Sequence, residues 1–402
     1  MRDRMWVMKS IYINFKFVIL AVLSGIMMLF AFYPSYFEQV PWIARYDMAV
    51  NVLILFGIVL YYAGYGRINS ILLLVCLFTA VQLISTVVNH VDVKTSLWGR
   101  GILLIAMCGG IQWGYHHSEK TFLKTLYFLF YSLLVINLAT VYLFPDGMYE
   151  NQNGVSKYSF FLGNYNNFII YFYMASLPGY LYLKKYKGRL TLGYFLLWAV
   201  MATAFARLRS VTSITGMILL ALYGLYFNRR FTRWVLNIKT YMAVNLLFFL
   251  TAVWNPSDNL FLRLITWIVG RDMTFSGRTI IWESVKPYVQ EHWLLGNGLE
   301  TQEVMFEKLT PIHAVHAHNL YLDILYKNGL VGFAVIAVLL FLMLYKLKRM
   351  EDQNTRFLIE AYLGVFMLMS QFEAYSIKFV FFMIVFLYFY SSRNQQKTGR
   401  TT

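Results

Sequence analysis

Residues 329–347 read GLVGFAVIAVLLFLMLYKL, a run broken by a single charge, Lys346. A helix needs ~20 apolar residues to cross the ~30 Å of bilayer hydrocarbon. A helix apolar all round, as this one would be, has no face to offer water. Similar runs recur along the chain, at 11–33, 48–66, 68–88, 97–115, 122–144, 165–183, 190–207, 210–227, 240–254, 356–374 and 377–391. Together they predict an all-α polytopic membrane protein with twelve transmembrane helices. Composition agrees: 59% of residues are hydrophobic and 13% charged, with mean hydropathy +0.54. A soluble domain carries about 25% charged residues.

The formal charge of +16 would suit a nucleic-acid binder, but its distribution does not. Lysines and arginines gather in short links between runs, as topology determinants do. With Arg2, Arg4 and Lys9 in the cytoplasm, the clusters at Lys184–Arg189, Arg229–Arg233 and Lys346–Arg356 also face inward. Both termini are then cytoplasmic. The expected organisation is helices one to nine over 1–254, a large external loop over 255–328, and helices ten to twelve with a cytoplasmic tail over 329–402. The first run is too long for a signal peptide and lacks a small-residue cleavage site. Cys76 and Cys108 fall inside apolar runs and read as small buried hydrophobes.

The loop is where chemistry concentrates. Its tryptophans and aliphatic residues argue for a folded segment. Asn255-Pro256 opens it with a turn. A helix is expected from Ser276, the cap, with Ile281, Val285 and Tyr288 on one face and Pro287 bending or ending it. Trp282 reads first as packing. Four histidines, 292, 313, 316 and 318, lie in this loop. Their spacing at 313, 316 and 318 fits poorly with a zinc site, so no metal is expected. A histidine here is instead a candidate general base or hydrogen-bond partner. His318 precedes a short helix on which Asn319, Asp323 and Lys327 share a face, and Asn328-Gly329 reads as its stop. Arg207, Arg209 and Arg278 offer guanidinium forks for phosphate oxygens. Glu360 and Glu373, carboxylates in an apolar run, should face a partner.

His318-Asn319, nine residues, then Gly329-Leu330-Val331-Gly332 resembles the His-Asn-x9-Gly-x-x-Gly signature of the O-antigen ligase and polymerase family. Ser276-Gly277-Arg278 with Trp282 is similar to that family's loop helix, and Arg207 to Ser213 to its arginine-bearing link. Phe333 departs from the small hydroxyl residue that ligases more often carry after the second glycine.

The resemblance implies an all-helical C-type membrane glycosyltransferase in the bacterial plasma membrane, with the catalytic loop outside and no cofactor. The donor would be an oligosaccharide on undecaprenyl pyrophosphate, the acceptor a glycan hydroxyl, and the outcome inversion. Flippase and chain-length regulator proteins are the implied partners. On these terms His318, His316 and Glu373 are expected to be catalytic. Arg207, Arg209 and Arg278 would hold pyrophosphate, and Asn319 and Trp282 would contact substrate. Polymerisation of repeat units is the preferred activity, with ligation of a finished glycan to a terminal lipid or protein as the alternative. A polysaccharide or lipid transporter is the rival from another class. It is disfavoured by the sparse charge in the first nine runs and by the lack of an inverted repeat.

Overall fold

The computed structural model describes residues 2–65, 69–93, 101–150, 159–226, 233, 236–255, 277–311 and 313–395, with side chains from 15 onward except at 44, 45, 47, 48, 65, 225 and 226. In chain order the helices are α1 (Arg2–Ala31), α2 (Pro41–Tyr65), α3 (Ser70–Val88), α4 (Ile102–Leu143), α5 (Phe168–Lys187), α6 (Leu192–Leu208), α7 (Val211–Tyr226), α8 (Ile238–Phe248), α9 (Arg278–Glu291), α10 (Gln302–Lys308), α11 (Leu320–Lys348), α12 (Gln353–Met369) and α13 (Ile377–Arg393). Helix occupies most of the described part of each of the twelve apolar runs. The fourth and fifth abut at Ser118, whose extended backbone (φ −162°, ψ 101°) breaks α4. Among the described residues, α3, α4 and α11 are long and apolar enough to cross a membrane by length and composition. Shorter apolar helices accompany them at Phe15–Ala31, Ala49–Gly64, Leu192–Leu208, Val211–Gly224 and Ile238–Trp254. Large apolar side chains such as Leu53, Phe56, Leu196 and Phe341 are exposed, which suits a lipid-facing surface. The chain is a helical protein of integral-membrane character.

The chain divides into two compact units. One comprises Met1–Leu72, Ile102–Ser210 and Phe381–Thr402. Here α4 packs against α1, α2, α5 and α6. Phe32 meets Phe130 and Phe382 edge to face. Lys184, Lys185 and Lys187 crowd the last turn of α5, where cations complement the helix dipole. Lys185 also pairs with Glu119 at 2.7 Å, and the Tyr186 hydroxyl donates to the same carboxylate. Among the described residues this unit also carries a small antiparallel hairpin, β1 (Ser159–Phe160) and β2 (Gly163–Asn164). The backbone N–H of Leu162 in its turn donates to Asn137 Oδ1.

The other unit comprises Leu73–Gly101 and Val211–Val380. In it α12 packs against α7 and α8. Asn237 caps α8 by accepting from Lys239 and Thr240. α8 passes into a π-helical turn, Phe249–Trp254. Glu360 finds its partners inside the unit: Arg356 Nε at 3.4 Å and the backbone N–H of Ile238.

Two local expectations meet their outcome in this unit. Of the bend or end expected at Pro287, the end does not occur: α9 runs on to Glu291 and is capped at His292. The ring lies in the helix's third turn, and four further residues keep helical geometry beyond it. Asn328-Gly329 does stop the short helix that begins at Leu320: Gly329 takes φ 58° and ψ −166°, a break across which α11 continues as the next run. The groups this break frees are bonded elsewhere. Tyr326 O and Lys327 O accept from Asn297 and Gly298, while Leu330 N–H and Val331 N–H donate to Trp293 O and Leu294 O. Residues 293–298 therefore act as the missing turn. The Ser85 hydroxyl and Asn89 amide at the end of α3 donate to Gly296 O and hold that segment in place.

Candidate active site

The loop residues rest on their own core. Trp282, Val285 and Val289 of α9 pack with Met305, Leu309, Ala314, Ala317, Leu322 and Tyr326, and with Phe248, Ala252 and Val253 of the α8 region. Trp282 is fully buried there, so its indole supports the loop from beneath. Ala314 and Ala317 are the buried positions of the histidine-rich stretch, and they turn His316 and His318 away from the core. Glu300 secures the far side through an ion pair with Lys308 and a 2.6 Å bond from the Tyr326 hydroxyl.

Two histidines from this stretch meet a carboxylate from the link between α12 and α13. His318 Nδ1 lies 3.5 Å from Glu373 Oε1, and His316 Nε2 lies 3.9 Å from the same oxygen. The imidazole rings are 4.0 Å apart between centroids. Arg278, first residue of α9, places Nη2 3.7 Å from Glu373 Oε2. Gly277, at φ 86°, makes the turn that starts the helix there. Ser276, expected as the cap, lies outside the described residues, as do Arg263, Arg271 and Trp267.

The two histidines differ in electrostatic state. The backbone N–H of His318 donates to His316 Nδ1 at 3.2 Å. That bond assigns the ring proton of His316 to Nε2, the nitrogen facing Glu373. Burial and the neighbouring His318 push the His316 imidazole down to about 4, so it is neutral at neutral pH. Glu373 is buried, which by itself would raise its carboxyl. The hydrogen bond from His318 and the charges of the two histidines and Arg278 outweigh burial and hold it at about 2. His318 has a left-handed backbone (φ 47°), a costly conformation for a residue with a side chain. His313 shares that backbone geometry but stacks on Phe306 and bonds its carbonyl. It belongs to the loop's packing, not to the cluster.

His316, His318 and Glu373 place three ligand atoms within 4.8 Å of one another, close enough to surround a metal ion. The donor set fits poorly, because a nitrogen that carries its proton cannot ligate, and His316 presents such a nitrogen to the shared space. The same arrangement suits a hydrogen-bonded triad, with the carboxylate orienting both rings.

Asn319 is buried. Its side chain caps α11 by accepting from Leu322 N–H, and its amide donates to both oxygens of Gln371. Asp323 accepts weakly from Ala317 N–H and pairs with Lys327 at 2.6 Å, the pairing the four-residue spacing implied. Arg207 and Arg209 lie in the other unit. Arg207 lies in the last turn of α6, and Arg209 caps the helix in a left-handed conformation (φ 52°, ψ 36°) with its side chain exposed. The following Ser210 donates to Asn166 at 3.3 Å. Gln371 had no signal in the sequence, since a single glutamine after an apolar run carries no spacing rule.

A buried carboxylate thus meets two histidines and an arginine on a folded loop among apolar helices, a set able to exchange protons and to hold an anion. Residues 192–337 match the family model Wzy_C, described as O-antigen ligase, so this segment is similar to that family. Members of this family are membrane glycosyltransferases, ligases and polymerases that transfer lipid-linked glycans. The matched segment contains Arg207, Arg209, Arg278, Trp282, His316, His318 and Asn319, and ends before Gln371 and Glu373. No curated protein matches the chain.

Proposed function

We propose that this protein polymerises polysaccharide repeat units, moving a glycan from undecaprenyl pyrophosphate to an acceptor glycan hydroxyl at the outer face of a bacterial plasma membrane. The observation that carries the reading is the His318–Glu373 contact, beside an arginine and within a loop of this family. Glu373 holds the proton of His318 on Nδ1, which leaves Nε2 as the basic nitrogen. The acceptor oxygen attacks the anomeric carbon as Nε2 takes the hydroxyl proton. The bond from that carbon to the pyrophosphate oxygen breaks, and its electron pair departs with the lipid pyrophosphate. One displacement inverts the anomeric centre.

The leaving group is a polyanion. Guanidinium groups stay charged at every relevant pH and suit it, which makes Arg278, beside Glu373, the candidate for pyrophosphate; the expectation for Arg207 and Arg209 rests on residue type and the family resemblance. His316 supports His318 by accepting its backbone N–H. Asn319 and Trp282 are buried and act from beneath the site by fixing the loop. Phe333 favours polymerase over ligase. The orientation with both termini cytoplasmic puts the loop on the side where such donors are presented.

The test is reconstitution with lipid-pyrophosphate-linked repeat units as donor and acceptor, comparing wild type with His318→Ala. A ladder of longer lipid-linked glycans, absent in the variant, supports polymerisation. Single transfer to an added acceptor lipid or protein means ligation. Movement of the donor across the bilayer without a new glycosidic bond would sink the enzyme reading and leave a transporter.

A further inference from the structure

We propose that Gln371 is a positioning residue whose amide ties Asn245 of α8 to Asn319, and thereby sets the contact between His318 and Glu373. The proposal rests on the glycosyl-transfer reading above.

His318 and Glu373 come from segments far apart in sequence, and something must bring them together. The link from Ser370 to Ser376 is not helical, so no ladder of its own fixes Glu373. Its first residues are instead fastened to the start of α11. Leu320 N–H donates to Ser370 O at 2.8 Å, and Asn319 Nδ2 donates to Gln371 O at 2.9 Å. Both anchors lie immediately after His318 on one side and two or three residues before Glu373 on the other. The Gln371 side chain then continues the line. Its Oε1 accepts from Asn319 Nδ2, and its Nε2 donates to Asn245 O at 2.9 Å and Oδ1 at 3.1 Å. Asn245 in turn donates to Tyr241 O and accepts weakly from the Tyr321 hydroxyl.

Asn245, Asn319 and Gln371 are all nearly inaccessible. Apolar side chains of the same shape would fill this space at little or no loss of stability. A directional network adds a single register, which a greasy contact does not. The register fixed here is that of Glu373 against the histidines. Gln371 and Glu373 both lie beyond the matched segment, so the chain completes its site with residues of α12's outer end.

Three variants test this: Gln371→Met, Gln371→Glu and Asn245→Leu. Gln371→Glu keeps the volume and the acceptor for Asn319 but sets a carboxylate against the two Asn245 oxygens that now accept from Nε2. Asn245→Leu leaves the link itself intact. Folding is checked by gel filtration and thermal melting in detergent. The expected result for the folded variants is kcat lower by about 10–100-fold with the donor KM unchanged, as for a small misplacement of catalytic groups. The acid limb of the pH–rate profile should also move toward neutral pH. Glu373 is faced by His316 and His318 from the loop, by Arg278 from α9 and by Tyr375 from its own link. Once it loosens from these, burial governs its carboxyl. Folded variants with wild-type kcat and an unmoved pH profile, or with a raised KM alone, would overturn the proposal.

If the wild type forms no glycosidic bond, the functional reading fails separately. Positioning is then read from the rate at which diethyl pyrocarbonate modifies His318, located by mass spectrometry. A rate altered several-fold in the variants supports the relay, and an unaltered rate overturns it.

Discussion

Replacing Gly329 with alanine should cripple the fold of the catalytic loop, and the structure supplies the size of the effect. An added Cβ would sit 2.3 Å from Leu294 O and 2.6 Å from Gly296 N, both backbone atoms that cannot swing aside. The position's dihedrals lie close to a region that is nearly exclusive to glycine, which costs other residues about 1–3 kcal/mol. Relieving the clash also means parting residues 293–298 from the break, with loss of the Leu330–Trp293 and Val331–Leu294 bonds. Each such bond contributes about 1 kcal/mol net. The total is about 3–5 kcal/mol, roughly a 6–20 °C lower midpoint for a unit of this size. Thermal melting of detergent-purified protein measures it against two controls. Gly188→Ala has positive φ but no atom within 4 Å, and should cost only the conformational strain, about 1–2 kcal/mol. Gly224→Ala, inside α7 and equally open, should be neutral or gain about 0.5–1 kcal/mol. If Gly329→Ala melts with Gly188→Ala, the close backbone approach is not what this glycine serves.

His318→Ala should lower transfer by about 10²–10⁴-fold, the usual worth of a positioned general base, while His316→Ala retains more activity; equal loss in both would unseat His318 as the base. Glu373→Gln keeps the shape but removes the charge that orients the imidazole, and its kcat should fall with donor KM unchanged in a steady-state assay. The unfolded chain would protonate His316 near its ordinary 6.5, whereas the folded site resists until about 4, so the folded state binds fewer protons in that window. Stability contributed there is lost as pH falls from 6.5 toward 4, and Glu373, held at about 2 against 4.5, extends the loss to lower pH. A melting midpoint that rises on acidification across this range would contradict both assignments. Chelation by EDTA should leave transfer unchanged, and activity restored only by added zinc would argue for ligation by the two histidines and Glu373.

The helical architecture was legible because hydrocarbon imposes a simple length and polarity rule on every run. The same rule says nothing of breaks. Asn328-Gly329 carries the signature of a helix end and the run from 329 that of a new span, but only the bonds from residues 293–298 show how the break between them is closed. Pro287 offered a bend or a stop, and α9 runs past it. At the site, the histidines and arginines stood out by type, and Asp323 with Lys327 by spacing. Glu373 was visible as a carboxylate out of place that should face a partner, and it lies near His318, His316 and Arg278. The Asn245–Gln371–Asn319 line was invisible, since amides scattered over distant segments share no local pattern. Backbone conformation was equally hidden, and nothing in the His316-Ala317-His318 string announces a left-handed residue.

The interrupted helix α11 also bears on how the protein is made. Its missing hydrogen bonds come from residues 293–298, which are synthesised first and must be in place when the apolar half of α11 enters the membrane. Insertion of that span and closure of the loop are therefore one event, because a span seated without its loop would leave Tyr326, Lys327, Leu330 and Val331 with naked backbone groups at the edge of the hydrocarbon. Loop and span cannot be exchanged separately between relatives, and a chimera that joins one chain's loop to another's tenth run should be retained or degraded before it is ever inactive.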